Sequence, residues 1–167
     1  MIVSIHQPEH FPYLGYFQKM ADADIFVLLD NVNYRKNYFQ NRNRFLNKNG
    51  VEEWFTIPVP KDSVKKHIKD VVPSNSDWKK KIVKQHQQHF GTDLSYIYDL
   101  KTLAEINTAS IVYCMHRLGI NTQLVKASTL SATGTKSELL ANICKELGAT
   151  KYISGPSGKD YLEMKYF

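Results

Sequence analysis

A histidine and a glutamine close the first apolar run of the chain, at His6 and Gln7; an aspartate and an asparagine close the second, at Asp30 and Asn31. Polar groups at the ends of buried runs are where α/β folds build their sites, because loops there escape the core while the strands hold them still. A histidine in that position can take a proton from an attacking amine or hydroxyl near neutral pH, or it can do no more than hydrogen-bond a turn. A second group is dense in charge and amides: Arg35, Lys36, Gln40, Arg42, Asn43 and Arg44, interleaved with Tyr34, Tyr38 and Phe39. Guanidinium forks suit phosphate oxygens and aromatic faces accept bases, so the stretch fits a phosphorylated or nucleotide ligand. The same mixture fits single-stranded nucleic acid, or a plain exposed hairpin.

Ser154-Gly155-Pro156-Ser157-Gly158 is a glycine-rich turn ahead of Lys159. Its N–H groups could meet an anion, or the glycines could serve turn geometry alone. It is not a Walker loop: Ile153 stands where that pattern needs its first glycine, and Asp160 where it needs Ser or Thr. No metal is assigned. His6 and His10 are in the wrong order for a zinc helix and Pro8 forbids the helix between them, while His86 and His89 lack a third ligand and read as a partly exposed polar face.

The elements that must position these groups follow from periodicity. The run from Ile2 reads as a buried strand ended by Pro8, and Pro12 turns the chain into a helix over Leu14–Ala21 with Leu14, Phe17, Met20 and Ala21 inward. Ile25–Leu29 is continuously apolar, which predicts a second strand parallel to the first. Asn49-Gly50 predicts a type I′ turn joining Tyr38–Asn47 to Val51–Val59, with Phe55, Ile57 and Val59 on one face. Lys61–Ser74 reads as a polar connection with one short strand near Ile68–Val72. Ser76 is a natural cap for a helix carrying Trp78, Ile82, Val83 and Phe90 and stopped by Gly91. Short and long helices follow at Asp93–Asp99 and Thr102–Leu118, then a strand at Thr122–Lys126. A striped helix at Lys136–Leu147 and a strand at Lys151–Ile153 complete the order. The pattern predicts a three-layer α/β fold with a mostly parallel, Rossmann-like sheet and a β-hairpin insert.

Length and composition set bounds. At 167 residues, 43% of them hydrophobic, the chain can bury one domain-sized core. No apolar run approaches the length of a membrane span and no basic leader precedes the first one, so a cytoplasmic protein is expected. Cys114 and Cys144 fall on apolar helix faces, as reduced core thiols do. The net charge of +6 is concentrated between Lys61 and Lys84, which fits a solvated face or a footprint for phosphate or nucleic acid.

The opening Ile5-His6-Gln7-Pro8 with Pro12-Tyr13-Leu14-Gly15-Tyr16-Phe17 resembles the WbqC-like family. So do Phe26–Val32, Gln40-Asn41-Arg42-Asn43-Arg44, Trp54 with Thr56-Ile57-Pro58-Val59, and Tyr152-Ile153-Ser154-Gly155-Pro156-Ser157-Gly158. The resemblance runs along nearly the whole chain as a single WbqC-like domain, and it implies a further family segment beyond the last turn. It also implies a place in bacterial surface-polysaccharide (O-antigen) biosynthesis, with transfer of glycine or another acyl group to an amino sugar. In that reading His6 is the general base, and Gln7, Asp30 and Asn31 orient the acceptor. Lys36, Arg42 and Arg44, with Gln40 and Asn43, hold a nucleotide-linked sugar or other phosphorylated small molecule. Ser154, Gly155, Ser157 and Gly158 meet an anionic part of it. The cofactor is left open. Two other readings stay open: nucleotidyl transfer from ATP, and a non-catalytic module binding sugar nucleotides or RNA.

Overall fold

The computed structural model describes residues 1–75 and 77–167, so the cap expected at Ser76 lies outside the described residues. The strands described are β1 (Ile2–His6), β2 (Ile25–Leu28), β3 (Arg42–Leu46), β4 (Glu52–Thr56), β5 (Gln123–Lys126) and β6 (Lys151–Ile153). The helices are α1 (Leu14–Ala21), α2 (Asp77–Phe90), α3 (Ser95–Tyr98), α4 (Leu103–Leu118), α5 (Lys136–Glu146) and α6 (Gly158–Tyr161). The chain is a mixed α/β fold with a parallel sheet and an antiparallel hairpin, as its patterning predicts. It divides into two compact units, one of residues 1–7, 13–30 and 115–167, the other of residues 8–12 and 31–114.

The first unit holds a four-stranded sheet in the order β5-β2-β1-β6, and every pairing in it is parallel. All four residues of β2 are buried, which matches its unbroken apolar run. Successive strands step outward from β1 to β2 to β5; the chain then returns and lays β6 on the opposite side of β1. The winding therefore reverses between β1 and β6. In α1 the buried residues are Tyr16, Phe17, Lys19 and Met20, whereas Leu14 is 75% exposed and Ala21 is exposed. The expected inward face is thus corrected. Tyr16 and Lys19 can turn inward because their polar tips find carbonyls: the Tyr16 hydroxyl donates to Gln7 O at 3.2 Å and Lys19 Nζ to Ile5 O at 3.0 Å. The stripe on α5 is as read, with Leu139, Leu140, Ile143 and Cys144 buried.

In the second unit β3 and β4 form the expected hairpin, with Asn43 opposite Phe55 and Leu46 opposite Glu52. Its turn differs from the expected type I′. Gly50 takes φ +74° while Asn49 stays out of the positive region; Gly50 N–H donates to Asn47 O and Asn47 N–H to Val51 O, both at 2.9 Å. This is a three-residue loop with glycine in the left-handed position. The Asn47 side chain favours it, since its Oδ1 accepts the N–H groups of Asn49 and Val51. The strand expected near Ile68–Val72 is also corrected: 3₁₀ turns occupy Lys61–Lys65 and Ile68–Asp70. Ile68 and Val71 are both fully buried, and a separation of three puts them on one side of a 3₁₀ turn but on opposite faces of a strand.

The second unit's core includes Phe55, Ile57, Ile82, Ile97, Leu103 and Ile106. The start of α4 is fixed by a reciprocal cap: Glu105 N–H donates to Thr102 Oγ1, and Thr102 N–H to Glu105 Oε2 at 2.8 Å. Both cysteines are free thiols. Among the described residues, no helix is long and apolar enough to cross a membrane.

Candidate functional site

At the carboxyl edge of the parallel sheet, the segments after β5, β2, β1 and β6 stand in that spatial order. They deliver Ser128, Asp30, His6 with Gln7, and the Ser154–Gly158 turn. His6 packs its ring 4.8 Å from that of Tyr16, and its Nδ1 is buried without a hydrogen-bond partner. Burial, and after it the Lys19 ammonium, lowers the His6 pKa to about 3. Burial thus penalises the protonated ring and leaves the His6 lone pair available.

Asp30 is buried, and its carboxylate accepts both the backbone N–H of Ser128 at 2.9 Å and the Ser128 hydroxyl at 2.7 Å. It clamps the segment leaving β5 to the end of β2, which makes it a positioning residue for the edge. Asp30→Ala should destabilise the protein by about 2–4 kcal/mol, as the loss of two hydrogen bonds to a charged acceptor implies. A urea titration reads this as a lower midpoint, and an unchanged midpoint would refute the clamp.

On the other side of β1, Ser4 Oγ donates to Ile153 O at 2.9 Å and ties the strand to β6 just before the glycine turn. Gly158 N–H donates to Gly155 O at 2.8 Å, so that donor is spent inside the turn rather than presented to an anion. A Cβ on the buried Gly158 would stand 2.6 Å from Ser154 Cβ, which is why the position needs glycine.

The second unit holds the remaining sequence-predicted residues. Pro8–Pro12 is pinned by amides. Asn107 Nδ2 donates to Pro8 O at 3.0 Å and Gln40 O at 2.7 Å, and Asn43 Nδ2 donates to His10 O at 3.2 Å and Phe11 O at 2.6 Å. His10 N–H donates to Phe39 O and Phe11 N–H to Ser110 Oγ. These bonds hold Phe11 at φ +46°, a left-handed conformation costly for an aromatic residue. Gln40 is fully buried and accepts Arg35 N–H at 2.8 Å. The Asn43 side chain thus supports the Pro8–Pro12 loop, while the Gln40 side chain holds the backbone at Arg35.

Asn31 is half-buried, with its Oδ1 lacking a partner. Arg42 donates to Asn37 O and stacks 4.7 Å over Trp54, exposed Arg44 pairs with Glu52 at 3.0 Å, and Lys36 is exposed.

Sequence reasoning missed a buried network in this unit. The Tyr98 hydroxyl lies 3.1 Å from His10 Nε2 and 2.8 Å from His86 Nε2. One hydroxyl can donate to one imidazole and accept from the other, an arrangement that two neutral rings with protons on different ring nitrogens satisfy. Burial, with His86 as a lesser cause, lowers the His10 pKa to about 3; burial lowers that of His86 to about 4 and raises that of Tyr98. His86 is 3% exposed, which corrects the exposed face expected for it. The signal was its place one turn beyond Ile82 on the buried stripe of α2. Among the described residues, no group of three or more His, Cys, Asp or Glu side chains is arranged to hold a metal ion.

Residues 7–167 match the model of the WbqC-like protein family. The chain is also similar to an uncharacterized protein of Mycobacterium tuberculosis, 29% identical over 178 residues that cover 99% of this chain and 77% of that protein. No solved structure matches it significantly.

Proposed function

Because the chain belongs to the WbqC-like protein family, we propose that it is a transferase of bacterial surface-glycan biosynthesis, moving an acyl or aminoacyl group such as glycine onto the amine of a nucleotide-linked amino sugar. The observation that carries this reading is the reversal of winding between β1 and β6. Open parallel sheets take ligands in the crevice outside their carboxyl ends at such a reversal. The groups flanking it are His6, Gln7 and the Ser154–Gly158 turn.

The sugar amine attacks the acyl carbonyl. A C–N bond forms, the bond from the carbonyl carbon to the leaving group breaks, and the amine gives up a proton. His6, held neutral, offers the lone pair that accepts it. A dianionic substrate beside the ring favours the imidazolium and lifts the pKa from about 3 toward the working range. His6→Ala should therefore lower turnover by about 10²–10⁴-fold, the usual worth of a positioned base, with the fold retained. An equally active His6→Ala protein would refute the role. The same reading places the protein in the cytoplasm.

A further inference from the structure

We propose that a cleft beside β6 binds the phosphorylated carrier arm of the acyl donor; this deepens the transferase reading and rests on it. The cleft encloses about 390 Å³, within the range of small-molecule sites. It runs between α5, the sheet-edge strand β6 and the segment after α6, and its lining includes Ser154, the first residue of the glycine turn. One end of the cleft therefore shares a residue with the crevice between β1 and β6.

The lining selects the ligand. Ala141, Ala149, Cys144, Leu162 and Met164 make a narrow aliphatic wall. Tyr152 and Phe167 stack on each other at 5.3 Å and 11°, so no base can be sandwiched between them. An aliphatic arm suits this wall better than a nucleobase. The exposed side chains of Lys145 and Lys151 also line the cleft, and no Asp or Glu side chain among the described residues does. Two ammonium groups without a carboxylate favour a phosphate. A ligand with a phosphate, a long aliphatic and amide arm and an acyl thioester at its tip has all three features. With the phosphate at the lysines and the arm along the wall, the thioester would lie toward Ser154, the residue the cleft shares with the crevice. There the amine nitrogen would form its C–N bond as the C–S bond breaks, and the thiolate leaves, taking up the proton that His6 accepted from the amine.

Cys144 does not compete as a nucleophile, because burial raises its thiol pKa to about 11.

The test is isothermal titration of the full chain with acetyl-coenzyme A, and separately with sugar nucleotides carrying UDP, dTDP and GDP heads. Two variants change only exposed positions: the Lys145→Glu/Lys151→Glu double substitution, and Met164→Glu, whose side chain is 73% exposed. Acetyl-coenzyme A should bind the parent and bind each variant at least tenfold more weakly, with sugar-nucleotide affinity unchanged in both. Failure of acetyl-coenzyme A to bind, or equal binding to parent and variants, overturns the cleft assignment. If a sugar nucleotide still binds, the transferase reading survives that result. If no sugar nucleotide binds while acetyl-coenzyme A binding still depends on the lysines, the acceptor half of that reading fails instead.

Discussion

At pH 5.5 the protein should unfold in clearly less urea than at pH 7.5. His6, His10 and His86 have folded-state pKa values of about 3, about 3 and about 4, against the 6.5 of an exposed histidine. Below pH 6.5 the unfolded chain takes up these protons and the folded chain does not. Stability is therefore full above pH 6.5 and is lost as pH falls from there toward 4 for His86 and toward 3 for His6 and His10. Each histidine contributes about 1.4 kcal/mol per pH unit in that window. By pH 5.5 the His10–His86 pair should cost the second unit on the order of 3 kcal/mol, and His6 should cost the first unit on the order of 1.4 kcal/mol. Desolvation is the leading cause at all three positions, and the Tyr98 bridge binds two neutral rings. Protonating either ring removes an acceptor or adds a charge in a cluster with Phe11 and Phe55 against it. Urea midpoints measured from pH 7.5 to 5 check this, and a flat profile would show that the histidines are not held neutral.

Asn107→Ala should lower stability by about 2–4 kcal/mol, among the largest effects of any single amide in the chain. Asn107 is fully buried, and its Nδ2 supplies both Pro8 O and Gln40 O. Truncation leaves two buried carbonyls short of a donor, at about 1–3 kcal/mol each before relaxation. It also loosens the Pro8–Pro12 loop, in which Phe11 sits at φ +46°. Strain of that kind, on the order of 1–3 kcal/mol, persists only while surrounding bonds over-determine it. Hydrogen exchange at the His10 and Phe11 amides should speed up more than exchange in β1. A loss below about 1 kcal/mol, with His10 exchange unchanged, would mean that Asn43 and Ser110 suffice to hold the loop.

β1 and β2 were legible because each belongs to a short apolar run ending on a polar pair, and the helices because glycines such as Gly91, Gly119 and Gly148 end them in positive φ. The edge residues His6, Gln7 and Asp30 were legible for the same reason. What they do there was not. Asp30 is spent on Ser128, 98 residues away, and no local pattern encodes that pairing. Composition likewise did not reveal that the side chains of Gln40 and Asn43 bond backbone groups, the Arg35 N–H and the carbonyls of His10 and Phe11. The inward face of α1 was misread because Tyr16 and Lys19 bury their polar tips against carbonyls that only the tertiary fold supplies. His86 was misplaced because an imidazole on an apolar stripe looks surplus until Tyr98 and His10 arrive from distant segments.

The central claim is that the crevice between β1 and β6 is where this protein binds its substrate. Backbone amide NMR during titration with sugar nucleotides tests it most directly. The account predicts shifts that saturate at His6, Gln7 and Ser154–Gly158, with the amide of Ser128 following and α2 unmoved. Saturable shifts confined to Lys61–Lys84 or to the Asn33–Arg44 stretch would contradict it.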